Sequence, residues 1–94
     1  MAKDWPFPDI PTRAVAAVLE GLDASWPEPT HLTPASIHLA GQDRTFLLAV
    51  IALQDAGWLM CEAVLAGTGQ EPGIVDAVLT AKGRTELARL RGER

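Results

Sequence analysis

The sequence predicts one small α+β domain, and three observations carry that prediction. Apolar residues recur at helical spacing through the first half of the chain. After Gly57 the period changes from 3.6 to 2. A segment rich in glycine, GTGQEPG, then separates two alternating runs before helical spacing returns. Ninety-four residues make one domain rather than several. A chain 48% hydrophobic and 21% charged has enough apolar material to fold around a core, which excludes a disordered chain.

Residues 1–11 read as an extended arm and residues 12–94 as the folded domain. Pro6, Pro8 and Pro11 remove N–H donors and push their predecessors toward extended backbone. Trp5, Phe7 and Ile10 alternate with them, so the arm can lay an apolar side on something. The first helix is expected over residues 12–23, capped by Asp9 or Thr12, with Val15, Val18, Leu19 and Leu22 on one face. SWPEPTHL follows as a loop or a short edge strand. Thr33-Pro34 is a helix start, with Thr as cap and Pro in the first turn, and Gly41 is the expected stop of that short helix. The third helix begins at 42 or 43 and ends at 56, with Gly57 after it.

Residues 58–66 alternate as a strand, with Leu59, Cys61, Ala63 and Leu65 on one face and Trp58, Met60, Glu62 and Val64 on the other. Residues 74–80 give a second strand with Val75, Ala77 and Leu79 on one face, and the two form a hairpin. Thr80 caps a last helix, striped by Leu87 and Leu90. Three helices, a two-stranded hairpin and a C-terminal helix are the order of a winged helix-turn-helix.

The segments DAGWL and LTAKGRTEL resemble the closing half of small winged-helix proteins of the MarR and PadR types, in which an LTxxGxxxL signature joins the second wing strand to the final helix. Here that signature is Leu79, Thr80, Gly83 and Leu87. The chain also resembles the small YjcQ-like winged-helix proteins. The resemblance follows element order over residues 12–92 and motif detail over 55–60 and 79–87. It implies a winged-helix fold. It also implies that the third helix and the wing are the places to look for DNA contacts, because family members often bind DNA there. Fold alone does not settle function.

The third helix raises the functional question. Residues 46–53, FLLAVIAL, are all apolar. On a helical wheel Phe46, Ala49, Val50 and Leu53 make one stripe, sufficient for a core contact. Leu47, Leu48 and Ile51 fall on another side, together with Arg44 and Asp55. Either this second stripe is also core, covered by the arm or the short helix, or a partner covers it, most simply a second copy of the chain. The expected partner surface is Trp5, Phe7, Leu47, Leu48, Ile51 and Trp58. The expectation is therefore an intracellular interaction module, self-associating or an adaptor, with no catalytic activity and no cofactor.

The alternative is a DNA-binding transcriptional regulator using Gln42, Arg44, Thr45, Arg84 and Arg91. Charge disfavours it. The net charge is −4, and the basic residues concentrate in the last fourteen positions while the body is acidic. The wing loop offers Gln70 and Glu71 and no cation. GTGQEPG has no lysine of the phosphate-loop kind and precedes a strand, so it is not a phosphate loop. His31, His38 and Cys61 lack the compact spacing of a metal site, and no Ser/His/Asp or Cys/His signature is present. A single cysteine excludes an internal disulfide, which fits a reducing compartment. The charged, proline-rich start does not read as a signal peptide, and the 46–53 run is too short to span a bilayer, so the expected location is the cytoplasm.

Overall fold

The computed structural model describes residues 6–66, 69 and 71–92. In chain order these form helix α1 (Thr12–Asp23), strand β1 (Thr30–Leu32), a 3-10 helix (Ala35–Ile37), helix α2 (Asp43–Asp55), strands β2 (Leu59–Met60), β3 (Ala63–Leu65) and β4 (Gly73–Leu79), and helix α3 (Ala81–Gly92). The fold is a small α+β domain in which an antiparallel four-stranded sheet packs with three α-helices. β4 is the central strand. β1 pairs along one of its edges, and β2 and β3 pair along the other. The expected hairpin is therefore part of a larger sheet, and SWPEPTHL supplies an edge strand.

α1 is the hub of the core. It packs against α2, α3 and β4, and its Ala14, Val15, Val18, Leu19 and Leu22 are fully buried. α2 meets it with Phe46, Ala49, Val50 and Leu53. The sheet contributes Leu32, Leu59, Ile74, Ala77 and Leu79, and α3 contributes Leu87. Burying each of the Val, Leu, Ile and Phe side chains stabilises by about 1.5–3 kcal/mol, and each alanine methyl by less, before entropy is charged against it.

The helix ends differ from expectation at two places. α1 has no side-chain cap: Pro11, in extended backbone, precedes it, and the Pro11 carbonyl accepts the amides of Ala14 and Val15. Neither Asp9 nor Thr12 is used, because Pro11 already holds the chain in the entry conformation. The short helix is a single 3-10 turn that ends at His38, in left-handed backbone at φ 66°, well before Gly41. Its cap position is Pro34 rather than Thr33, and the turn begins at Ala35, although Thr33 still engages its first residues. The Ser36 amide donates to Thr33 Oγ1 at 3.3 Å, and the Thr33 amide donates to Ser36 Oγ at 3.0 Å. Glu71, from the segment before β4, accepts the Ala35 amide at 2.8 Å and ties that segment to the turn.

α2 ends in a Schellman motif. Gly57 has φ 80°, its amide donates to the Gln54 carbonyl, and the Trp58 amide donates to the Leu53 carbonyl. That turn carries Trp58 inward. Alternation placed Trp58 on the same strand face as Glu62, but β2 starts only at Leu59, and Trp58 is 3% exposed. Its ring meets Phe7 edge to face, with centroids 5.0 Å apart.

The strands depart from a plain period of two at one residue. Asp76 has φ 52°, a backbone region that aspartate tolerates better than most residues. Against β1 the pairing runs Thr30 to Ala77 but Leu32 to Ile74, so Val75 and Asp76 together oppose His31. The bulge explains why Ile74 and Ala77 are both buried and Val75 only half-buried, contrary to the expected set of Val75, Ala77 and Leu79. The same irregularity interrupts the neighbouring strand at Cys61 and Glu62, dividing it into β2 and β3. Beyond the break, Leu65 is exposed rather than on the core face.

Candidate interaction face

Among the described residues, large apolar side chains are exposed on the outer face of α2 (Leu48, Ile51), along β2 and β3 (Met60, Val64, Leu65) and at Trp26. α2 is the helix that carries two of them side by side. Its buried residues, 46, 49, 50 and 53, lie on one side. Arg44, Leu48, Ile51 and Asp55 line the opposite side at helical spacing, and all four are exposed. Leu48 is 43% exposed and Ile51 48%. Leu47 lies on the flank, half-buried and packed against the core. Among the described residues, neither Arg44 nor Asp55 makes an ion pair.

The other residues expected at a partner surface are placed differently. Phe7 and Trp58 pack on each other inside the chain's own core, so the described part of the arm folds back on this domain. Ile10 also packs against the core. Trp5 lies outside the described residues. The aromatic contribution expected from Phe7 and Trp58 is thus internal, and the face reduces to Leu48 and Ile51 between two opposite charges, with Leu47 at its margin.

The residues of the nucleic-acid alternative are scattered and mostly engaged. Gln42 accepts a hydrogen bond from Arg13 Nη2 at 3.1 Å. Thr45 is half-buried. Arg84 Nε stands 3.4 Å from Asp23 Oδ1, and its guanidinium lies over the Trp26 ring at 3.9 Å. Arg91 reaches Asp23 Oδ2 at 3.5 Å and Glu20 Oε2 at 3.8 Å. The two C-terminal arginines are thus turned onto the acidic end of α1. Gln70 of the wing lies outside the described residues.

The metal-ligand residue types are dispersed. His38 is exposed at the end of the 3-10 turn. His31, on β1, accepts the Asp76 amide at Nδ1, 3.3 Å away. Cys61 is half-buried, with Sγ 3.7 Å from Gln54 Oε1, and burial pushes its thiol above the ordinary value. Among the described residues no three His, Cys, Asp or Glu side chains stand together so as to hold a metal ion. A depression of about 240 Å³ between α1 and the 3-10 turn, lined by Glu20, Ser36 and His38, is smaller than the roughly 300–1,000 Å³ of small-molecule pockets.

One feature has no counterpart in the sequence reading. The Glu62 carboxyl hydrogen-bonds to Asp76 and feels its charge, which raises its pKa, with a lesser contribution from burial. The signal is cross-strand pairing, which becomes visible only once the register is known.

No helix of the described residues is long and apolar enough to cross a membrane. Comparison with protein-family models, curated proteins and solved structures finds no match.

Proposed function

We propose that the chain is a non-catalytic interaction module of winged-helix type that associates with a second copy of itself through the outer face of α2. One observation carries the reading: Leu48 and Ile51 stand nearly half exposed, side by side, directly opposite the core face of the same helix. A helix that already buries Phe46, Ala49, Val50 and Leu53 does not need them for its own fold. Adjacent exposed branched side chains lose water-accessible apolar area only when something packs on them. The winged-helix part of the reading is supported by the order of helices ahead of the β3–β4 hairpin and by α3 closing the domain after it.

DNA binding is the competing function, and the placement of the cations argues against it. Arg84 and Arg91 neutralise Asp23 and Glu20, and Arg44 sits on a face shared with leucine, isoleucine and aspartate, which offer no donor to a base edge or phosphate.

Sedimentation at several concentrations tests the proposal. The parent chain forms a dimer as concentration rises, and Ile51→Glu yields a folded monomer, because a side chain already half exposed can carry a charge without burying it. A parent that remains monomeric throughout overturns the reading. A titration of random duplex tests the competitor. Binding in the roughly 10⁻⁴–10⁻⁶ M range with a steep salt slope, lost in Arg44→Ala, would establish DNA binding instead.

A further inference from the structure

We infer that the second copy packs with its α2 antiparallel to the first, across a two-fold axis passing between Leu48 and Ile51. This rests on the self-association proposed above and adds its register.

The exposed stripe of α2 reads Arg44, Leu48, Ile51, Asp55. Its steps are four, three and four residues, the alternation that keeps one seam of a helix facing a partner helix. The order of steps is the same in both directions, so two antiparallel copies superpose their stripes position for position. Leu48 of one copy meets the partner's Ile51, and Ile51 meets the partner's Leu48. At the ends Arg44 meets the partner's Asp55, and Asp55 meets the partner's Arg44. Both apolar contacts and both charge pairs are satisfied by one rotation, which is what an isologous interface requires.

A parallel pairing of the same stripes brings Arg44 against the partner's Arg44 and Asp55 against the partner's Asp55. It sets like charges together at both ends and aligns the two helix dipoles in the same sense, both of which oppose association. Asp43, exposed in the first turn, lies on the flank of the stripe toward Leu47. It stands beside Arg44 rather than between Arg44 and the partner's Asp55. Arg44 and Asp55 have no ion-pair partner among the described residues, so neither must abandon an internal bond to make the pairs.

Charge reversal tests the register on the intact chain. Arg44→Glu and Asp55→Arg each turn two attractions into two repulsions, and each is expected to weaken the dimer about tenfold, the compounded effect of losing two modest exposed attractions and gaining two repulsions. The double variant R44E/D55R restores both pairs with their signs exchanged and returns the dimer to near parental affinity. Circular dichroism verifies that each variant is folded, and Leu48→Glu serves as a second disruptor of the apolar centre. If Ile51→Glu and Leu48→Glu break the dimer while the single charge reversals leave it unchanged, or the double variant stays as weak as the singles, the antiparallel register is wrong and self-association through α2 stands. If the parent does not associate, or associates and Ile51→Glu and Leu48→Glu leave it intact, both the register and the proposal beneath it fall.

Discussion

Gly83 lies so close to the carbonyl oxygen of Trp58 that a β-carbon there would overlap it. The contact joins the end of α2 to the start of α3, two points separated in sequence by strands β2, β3 and β4. It also gives the glycine of the LTxxG signature a physical reason: the helix needs a position without a side chain where the Trp58 backbone crosses it. In an isolated helix, alanine would be better than glycine by about 1 kcal/mol. Here the sign reverses. Gly83→Ala is expected to destabilise by about 1–3 kcal/mol or more, since neither backbone can move without disturbing the turn at Gly57. Urea unfolding of the two proteins measures it, and a more stable Gly83→Ala would show that the close approach is absent.

Thr80 ties the same two elements together through hydrogen bonds. Its Oγ1 accepts the Gly83 amide at 3.0 Å and donates to the Gly57 carbonyl at 2.6 Å, while its own amide donates to the Trp58 carbonyl at 3.1 Å. Thr80→Ala leaves both side-chain partners unmet and is expected to cost about 0.5–2 kcal/mol, the usual range for an N-cap. Thr80→Ser keeps the hydroxyl and should stay near the parent. Thermal melts of the three proteins separate the hydroxyl's contribution from that of the methyl group. Equal losses in both variants would assign the effect to packing instead.

Thr80, Gly57 and Gly83 belong to the segments that the sequence reading singled out, and the core faces of α1 and α2 were legible for a related reason. Val15, Val18, Leu19 and Leu22, and Phe46, Ala49, Val50 and Leu53, are local patterns whose period is set by the helix itself. The separation of Leu48 and Ile51 from the core stripe was legible in the same way. What escaped depends on distant partners. A period of two predicts Val75 on the core face, but the bulge at Asp76 depends on how β4 meets His31, and no local pattern encodes it. Trp58 looked like a strand residue because its neighbours alternate, yet the Schellman turn at Gly57 decides where it points. Arg84 and Arg91 looked available because Asp23 and Glu20 lie some sixty to seventy positions away in the chain.

Glu62 and Asp76 make stability depend on pH in an uncommon direction. Asp76 raises the folded-state pKa of Glu62 above its ordinary 4.5. Between 4.5 and the raised value, the folded chain holds a proton that the unfolded chain has released. Stability therefore falls as pH rises through that window, and the pair favours the fold only below it. Glu62→Gln removes the repulsion. It is expected to unfold at higher urea than the parent at about pH 7 and to converge with it near pH 4, where the parent's carboxyl is protonated. A variant that matches the parent at both values would show that the two carboxylates do not interact.

Cys61 offers a direct check on the proposal that the chain is not catalytic. Burial raises its thiol above the ordinary 9.0, and the Sγ stands 3.7 Å from Gln54 Oε1, placed to donate its proton there. Both effects favour the protonated form, whereas a catalytic cysteine needs its thiolate stabilised by a cation, a metal or a helix N-terminus. Alkylation by iodoacetamide at about pH 8 is expected to be slow in the native protein and several-fold faster in urea, where burial is lost. In the native state the rate should keep rising as pH passes 9.0, without an earlier plateau. A native rate that levels off near neutral pH would mean that the thiolate is stabilised after all. Cys61 would then become the first residue to examine for covalent chemistry, and the interaction-module reading would have to accommodate it.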